Sequence, residues 1–297
     1  MSGPLMDRMP RVLIFDSGVG GLSVAQCVHQ ALPGVDLVYL ADNAAFPYGD
    51  QPEAVVVERC CGLIGRALAD GDFDVVVVAC NTASTVVLPP LRAMTRVPVV
   101  GVVPAVKPAV GKTRNRRIGL LATPATVQRP YLDDLVRTFA ADCQVERIGH
   151  PGLVRWAEAF VRGVPVPRDE LAIALAAFRQ ADVDTVVLGC THYPLLLAAL
   201  KDTLPDVLFW VDSGEAIARR VAWLLEQSGR LADAREPVSN GASPVSAALF
   251  SGTAPEGVAD FMAALGLAAA RVASDWPNSE SGTFEPGTYE SGPTAGG

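Results

Sequence analysis

Two cysteines in this chain sit in two copies of one phrase. Val75-Val76-Val77-Val78-Ala79-Cys80-Asn81-Thr82 recurs in altered form as Thr185-Val186-Val187-Leu188-Gly189-Cys190-Thr191-His192. Each copy is an apolar run that ends on a small residue, then a cysteine, then hydroxyl, amide or imidazole side chains. Runs of β-branched and aliphatic residues of this length read as strands buried on both faces, as in a parallel sheet. A residue at the end of such a strand lies where open α/β sheets bind ligands, in the crevice beyond the carboxyl ends. Two such thiols can face each other across one cleft and act on both sides of one atom. A thiol of ordinary pKa ~8.5 is mostly protonated at neutral pH, so a thiolate here needs help, and the start of a following helix supplies it.

Other polar residues fall at strand ends as well. His192, two residues past Cys190, either holds a proton for the reaction or is a satisfied core histidine. Asp16-Ser17-Gly18-Val19-Gly20-Gly21 follows the first strand and opens a helix. It is no dinucleotide fingerprint, because Ser23 stands where the third glycine belongs, and no Gly-Lys-Ser/Thr follows to make a P-loop. Its amides still suit a small anion. Asp16 can pair with an ammonium group, orient a thiol or cap the helix. The turn Phe46-Pro47-Tyr48-Gly49 brings Tyr48 and the Gly49 amide to another strand end. Thr82 and Thr191 offer hydroxyls to a carboxylate, or cap helices.

The elements that position these residues alternate. Strands are expected at Val12–Phe15, Leu37–Leu40, Val75–Ala79, Val97–Val100, Ile118–Leu121, Val145–Ile148, Thr185–Leu188, Leu208–Val211 and Ala247–Ser251. Helical spacing marks Glu53–Ala69, Thr126–Phe139, Glu170–Phe178 and Gly214–Leu225. The pattern means βαβ units and mostly parallel sheets flanked by helices. The openers Val12–Gly18 and Arg117–Thr123 are spaced like the two cysteines, as tandem copies of one α/β unit require. The expected fold is therefore α/β: two similar lobes related by a pseudo-twofold, with the active site between them. The first lobe takes residues 11–101 plus 212–272, to which the strand near Ala247–Ser251 returns, and the second takes 102–211. Residues 273–297 are rich in Ser, Gly, Pro, Glu and Thr and read as a disordered tail, with Trp276, Phe284 and Tyr289 as its only anchors for a partner. Glu236–Ser243 reads as a loop.

The chain has 297 residues, half of them hydrophobic and 19% charged, which suits a globular protein with a large core. Its formal net charge of −8 gives no reason to expect nucleic acid as a partner, and the cluster Arg114-Asn115-Arg116-Arg117 reads as a solvated turn. No signal peptide is evident, and apolar runs fall far short of the ~20 residues of a spanning helix, so no membrane association and a cytoplasmic location are expected. The six cysteines are then reduced. They make no metal site either: no C-x-x-C pair occurs, and His29, His150 and His192 lack ligand spacing.

Four segments together resemble the glutamate racemases, in the cofactor-independent two-cysteine aspartate/glutamate racemase family: Phe15-Asp16-Ser17-Gly18-Val19-Gly20-Gly21, Pro47-Tyr48-Gly49, Ala79-Cys80-Asn81-Thr82-Ala83-Ser84 and Leu188-Gly189-Cys190-Thr191-His192-Tyr193-Pro194. The resemblance runs from about Arg11 to about Leu265. It implies interconversion of L- and D-glutamate for peptidoglycan synthesis, with Cys80 and Cys190 as the two acid/base residues. Asp16, Ser17, Tyr48, Gly49, Asn81, Thr82, Thr191 and His192 would line the glutamate site, Asp16 and His192 also assisting the thiols. Glu158 matches an acidic residue near the second thiol, in a segment whose wording departs from the family at His150 and Arg155. A homodimer is common among such relatives. One base on each face of Cα removes and returns a proton without a cofactor. Lys107, Lys112 and Lys201 lie outside the motif words, leaving a pyridoxal group no anchor. The rivals are an aspartate racemase or a maleate-isomerase-like enzyme of the same superfamily, and a two-lobed binding protein. His192 favours glutamate over aspartate, and a binder has no use for two thiols.

Overall fold

The computed structural model describes residues 8–237 and 243–277. It contains two parallel sheets. In the first, β1 (Arg11–Asp16), β2 (Asp36–Ala41), β3 (Val75–Val78) and β4 (Val99–Gly101) are joined late in the chain by β9 (Val245–Phe250) and β10 (Val272–Ala273), in the order β10-β9-β2-β1-β3-β4. The second holds β5 (Arg117–Ala122), β6 (Gln144–Gly149), β7 (Thr185–Leu188) and β8 (Phe209–Val211), in the order β6-β5-β7-β8. Four strands of the first sheet, β2-β1-β3-β4, thus repeat their order in the second. Cys80 follows β3 and Cys190 follows β7, which are equivalent strands.

Strand sequence explains this burial. All four valines of β3 are fully buried, as are Val186 and Val187 of β7. Along β1, Val12 and Ile14 enter the apolar layer on one face, while Leu13 and Phe15 enter the layer on the other. The alternation is the strand period of two applied to a sheet covered on both sides. The second sheet is likewise covered by two layers, one around Leu188 and Tyr193 and one around Leu120 and Val187.

All nine expected strands form, within two residues at their ends. The helix Gly214–Gln227 lies against the helix Leu22–Ala31, so the chain returns to the first lobe after β8. The expected helix Thr126–Phe139 is two helices, Pro124–Val127 and Pro130–Phe139, because Pro130 has no N–H to continue the first. The helix expected over Glu170–Phe178 is likewise divided at Leu175, into Arg168–Ala174 and Ala176–Gln180.

The tail boundary needs correction. Ala273 pairs with Leu249 in β10, and the Trp276 amide donates to Phe250 O at 2.8 Å. The Trp276 side chain packs on the layer that contains Val38 and Leu40. Residues 273–277 therefore belong to the first lobe. Apolar burial of one indole outweighs the polar composition around it. Phe284 and Tyr289 lie outside the described residues, as do 278–297 and most of the expected loop Glu236–Ser243. No described helix is long and apolar enough to cross a membrane.

Candidate active site

The carboxyl ends of β1 and β3 meet those of β5 and β7 across the gap between the lobes. Cys80 and Cys190 both line the cavity there, each less than a tenth exposed. Ser17, Tyr48, Gly49, Asn81, Thr82, Thr191 and His192 line the same cavity. Asp16 does not. It is fully buried behind the wall, where its carboxylate accepts from the Gly18 amide at 3.0 Å and the Thr191 hydroxyl at 3.0 Å. Its contact with the second lobe is therefore through Thr191.

The surroundings of the two sulfurs differ. Cys80 caps a helix of one turn, Asn81–Ser84, and the Ser17 hydroxyl lies 3.6 Å from its Sγ. Burial pushes the Cys80 thiol up to about 12, and the charge of Asp16 adds to this, against the Ala83 amide and Ser17 that favour the thiolate. The helix start expected to favour a thiolate is thus outweighed by desolvation. No helix begins at Cys190. Instead His192 Nδ1 lies 3.7 Å from Cys190 Sγ, and His192 Nε2 lies 2.8 Å from Glu158 Oε1. Burial lowers the His192 pKa, but the bonds and charges of Cys190 and Glu158 prevail and lift it well above the imidazole range. His192 thus bridges the Cys190 sulfur and the Glu158 carboxylate. For Asp16, burial raises the carboxyl to about 6 against the pull of His192, the Gly18 amide and Thr191.

Glu158 also accepts from the Val19 amide of the opposite lobe at 2.8 Å. The approach is close enough to need glycine. A Cβ on Gly18 would lie 2.1 Å from Glu158 Oε1, and one on Gly20 would lie 2.4 Å from His192 Nδ1. The glycines of the first loop thus admit acid and imidazole from the second lobe, which accounts for a glycine-rich loop that matches no nucleotide motif.

Tyr48 meets the cavity with its ring alone. Its hydroxyl donates to Asp42 Oδ2 at 2.6 Å, so its ring lines the cavity while its polar end is engaged elsewhere. Asp42 is fully buried and also accepts from both Arg59 Nε and Nη2 at 2.6 Å and from Ser251 at 2.5 Å. Sequence reasoning passed over Asp42, Arg59 and Ser251, because their partnership is visible only in space. It also passed over Thr123, which lines the cavity at the end of β5 as Ser17 does at the end of β1. Ser23, read only as the break in a glycine fingerprint, donates to Thr191 O at 2.8 Å and ties the lobes.

Among the described residues, no lysine or arginine lines this cavity. A ligand there meets amides, hydroxyls, the His192 ring and one carboxylate, Asp50. Asn81 Oδ1 is buried there without a hydrogen-bond partner among the described residues, an acceptor suited to an ammonium group.

A family model described as Asp/Glu/Hydantoin racemase matches residues 20–221. The chain belongs to that family. Membership in a racemase family removes the two-lobed binding protein from consideration. Among curated proteins, the glutamate racemase of Sodalis glossinidius is 50% identical over 221 residues, covering 74% of this chain and 76% of the relative. That of Vibrio vulnificus strain YJ016 is 52% identical over 220 residues, covering 74% and 83%. The crystal structure of Escherichia coli glutamate racemase, solved with L-glutamate and the activator UDP-MurNAc-ala, is similar at 42% identity and a TM-score of 0.80. The likeness covers 90% of this family member and 99% of that chain.

Proposed function

We propose that this racemase interconverts L- and D-glutamate in the cytoplasm, by a two-base mechanism without a cofactor, and that its D-glutamate supplies peptidoglycan synthesis. The observation that carries the mechanism is the equivalence of Cys80 and Cys190, which end matching strands and line one cavity. The substrate reading rests on relatives about half identical that are named glutamate racemase.

In each direction one sulfur, as thiolate, takes the Cα proton, while the other, as thiol, gives its proton to the opposite face. The sulfurs exchange protonation states and the carbon inverts, with atoms and charge balanced. Burial favours the thiol form of Cys80. In the form in which Cys80 is the donor, turnover starts from the enantiomer whose Cα–H faces Cys190, and the product enantiomer meets the opposite protonation state. A carboxylate stabilises a neighbouring carbanion poorly, so charge growing on it needs fixed donors. Ser17, Thr82 and the Gly49 amide fill that role, and Asn81 Oδ1 receives the substrate ammonium. Asp16 orients Thr191, and Tyr48 fixes the turn that presents Gly49.

The test is circular dichroism of either glutamate enantiomer with the purified protein and no added cofactor, repeated in heavy water. Loss of optical activity from both enantiomers, with deuterium at Cα of the product, is expected. Racemisation of aspartate at a comparable rate would overturn the substrate assignment, and inversion without exchange would overturn the two-base mechanism.

A further inference from the structure

The helix Gly152–Val161 carries Arg155, one of the residues that depart from the family wording, between Val154 and Glu158. Val154 lines the catalytic cavity, and Glu158 bonds His192. Arg155 faces a second cavity of about 500 Å³, lined also by Glu158, Arg162, Asn43 and the Phe46–Pro47 pair. Phe46 and Pro47 line the catalytic cavity too, so the two spaces share a wall. We propose that this second cavity is an anion-gathering vestibule, in which Arg155 and Arg162 draw the carboxylates of the amino-acid substrate toward the catalytic cleft. This rests on the glutamate reading.

The chain's net charge of −8 repels a dicarboxylate at long range. The catalytic cavity, lined by Asp50 and by no lysine or arginine among the described residues, does not reverse that repulsion. Capture then depends on cations nearby, because a cleft lined by charge of one sign raises the local concentration of its counter-ion. The two guanidiniums supply that charge. Arg155 reaches Asp50 only at 3.5 Å, an exposed pair that gives up little when a carboxylate replaces Asp50. The Arg162 side chain has no ion-pair or hydrogen-bond partner among the described residues. The one acid among the described residues of the vestibule wall, Glu158, is engaged by His192 and by the Val19 amide. The arginines therefore have charge to spare for a ligand. Their fork geometry matches a carboxylate.

Steady-state kinetics on glutamate test this, with Arg162→Glu, Arg162→Lys and Arg155→Gln measured from low to high salt. Wild-type kcat/KM should fall as salt rises. At low salt Arg162→Glu should lose roughly three- to tenfold in kcat/KM with kcat within about twofold, and show a flattened salt dependence. Arg155→Gln should act in the same direction, and Arg162→Lys should restore most of the loss. Unchanged kcat/KM in Arg162→Glu, a loss confined to kcat, or a lysine variant no better than the glutamate variant would overturn the vestibule alone. Absence of wild-type turnover on glutamate would remove the substrate reading and the vestibule with it.

Discussion

The hydroxyl of Thr191 crosses from the second lobe to the first and donates to Asp16 Oδ2 at 3.0 Å. The contact links the residue after one catalytic candidate to an acid whose charge acts on the other, since Asp16 helps hold the Cys80 thiol up. Asp16→Asn keeps an acceptor for Thr191 but removes the charge. At pH 8, where wild-type Asp16 is ionised, the variant should have more Cys80 thiolate and alkylate several-fold faster with iodoacetamide, read by peptide mass mapping. Wild-type Asp16 gains its proton as pH falls through about 6, so the two proteins should converge below that point. Slower alkylation in the variant at pH 8 would show that Asp16 favours the thiolate.

Cys80→Ala and Cys190→Ala should each abolish racemisation in both directions while the circular dichroism of the fold persists, since turnover needs a base and an acid together. Cysteine to serine should be nearly as damaging, because a hydroxyl is a poor base at neutral pH. A single variant that still racemises near the wild-type rate would end the two-base assignment.

The Asp42–Arg59 pair gives a stability prediction. Burial raises the Asp42 carboxyl, but hydrogen bonds from Arg59, Ser251 and Tyr48 prevail and hold it below its ordinary value. Arg59→Met strands a buried carboxylate and should cost about 3 kcal/mol, the low end for such pairs because Arg59 is a third exposed. A depressed folded-state pKa stabilises above the unfolded value and is lost as pH falls through the folded one. The difference between wild type and variant, read by urea denaturation, should therefore shrink below about pH 4. A difference that grows in acid would contradict the sign.

Trp276 anchors the end of the first sheet. Its replacement by alanine should lower unfolding free energy by about 1–2 kcal/mol, as half-buried indole is lost from the layer near Val38. An unchanged melting temperature would return residues 273–277 to the tail.

These cases show what a linear reading can reach. The valine runs of β3 and β7 declare their strands because burial on both faces leaves no polar positions to confuse the period. The duplicated cysteine phrase carries its own register, so the convergence of the two thiols was legible. β10 was not: two residues in a polar stretch carry no period, and pairing with β9 defines them. The Tyr48 ring lines the cavity, but the partner of its hydroxyl was not legible, because Asp42 is an ordinary strand-end acid until Arg59 and Ser251 fold against it. Desolvation misled in the same way at Cys80. A helix start is visible in sequence, while the depth of burial that defeats it is not.

The repeated strand order β2-β1-β3-β4 and β6-β5-β7-β8 gives each thiol an equivalent seat, yet the seats are furnished differently: Ser17 beside Cys80, His192 and Glu158 beside Cys190. Mirror-image substrates free in achiral water have identical free energy, so the equilibrium constant of any racemase is unity. Unequal furnishing cannot bias that end point. The ratio kcat/KM must be the same from either enantiomer, however unlike the two half-sites are. Their difference can surface only as a trade, one hand bound more tightly and released more slowly, the other bound loosely and turned over faster. Symmetry is thus imposed on the molecule by its reaction, while the fold is free to break it.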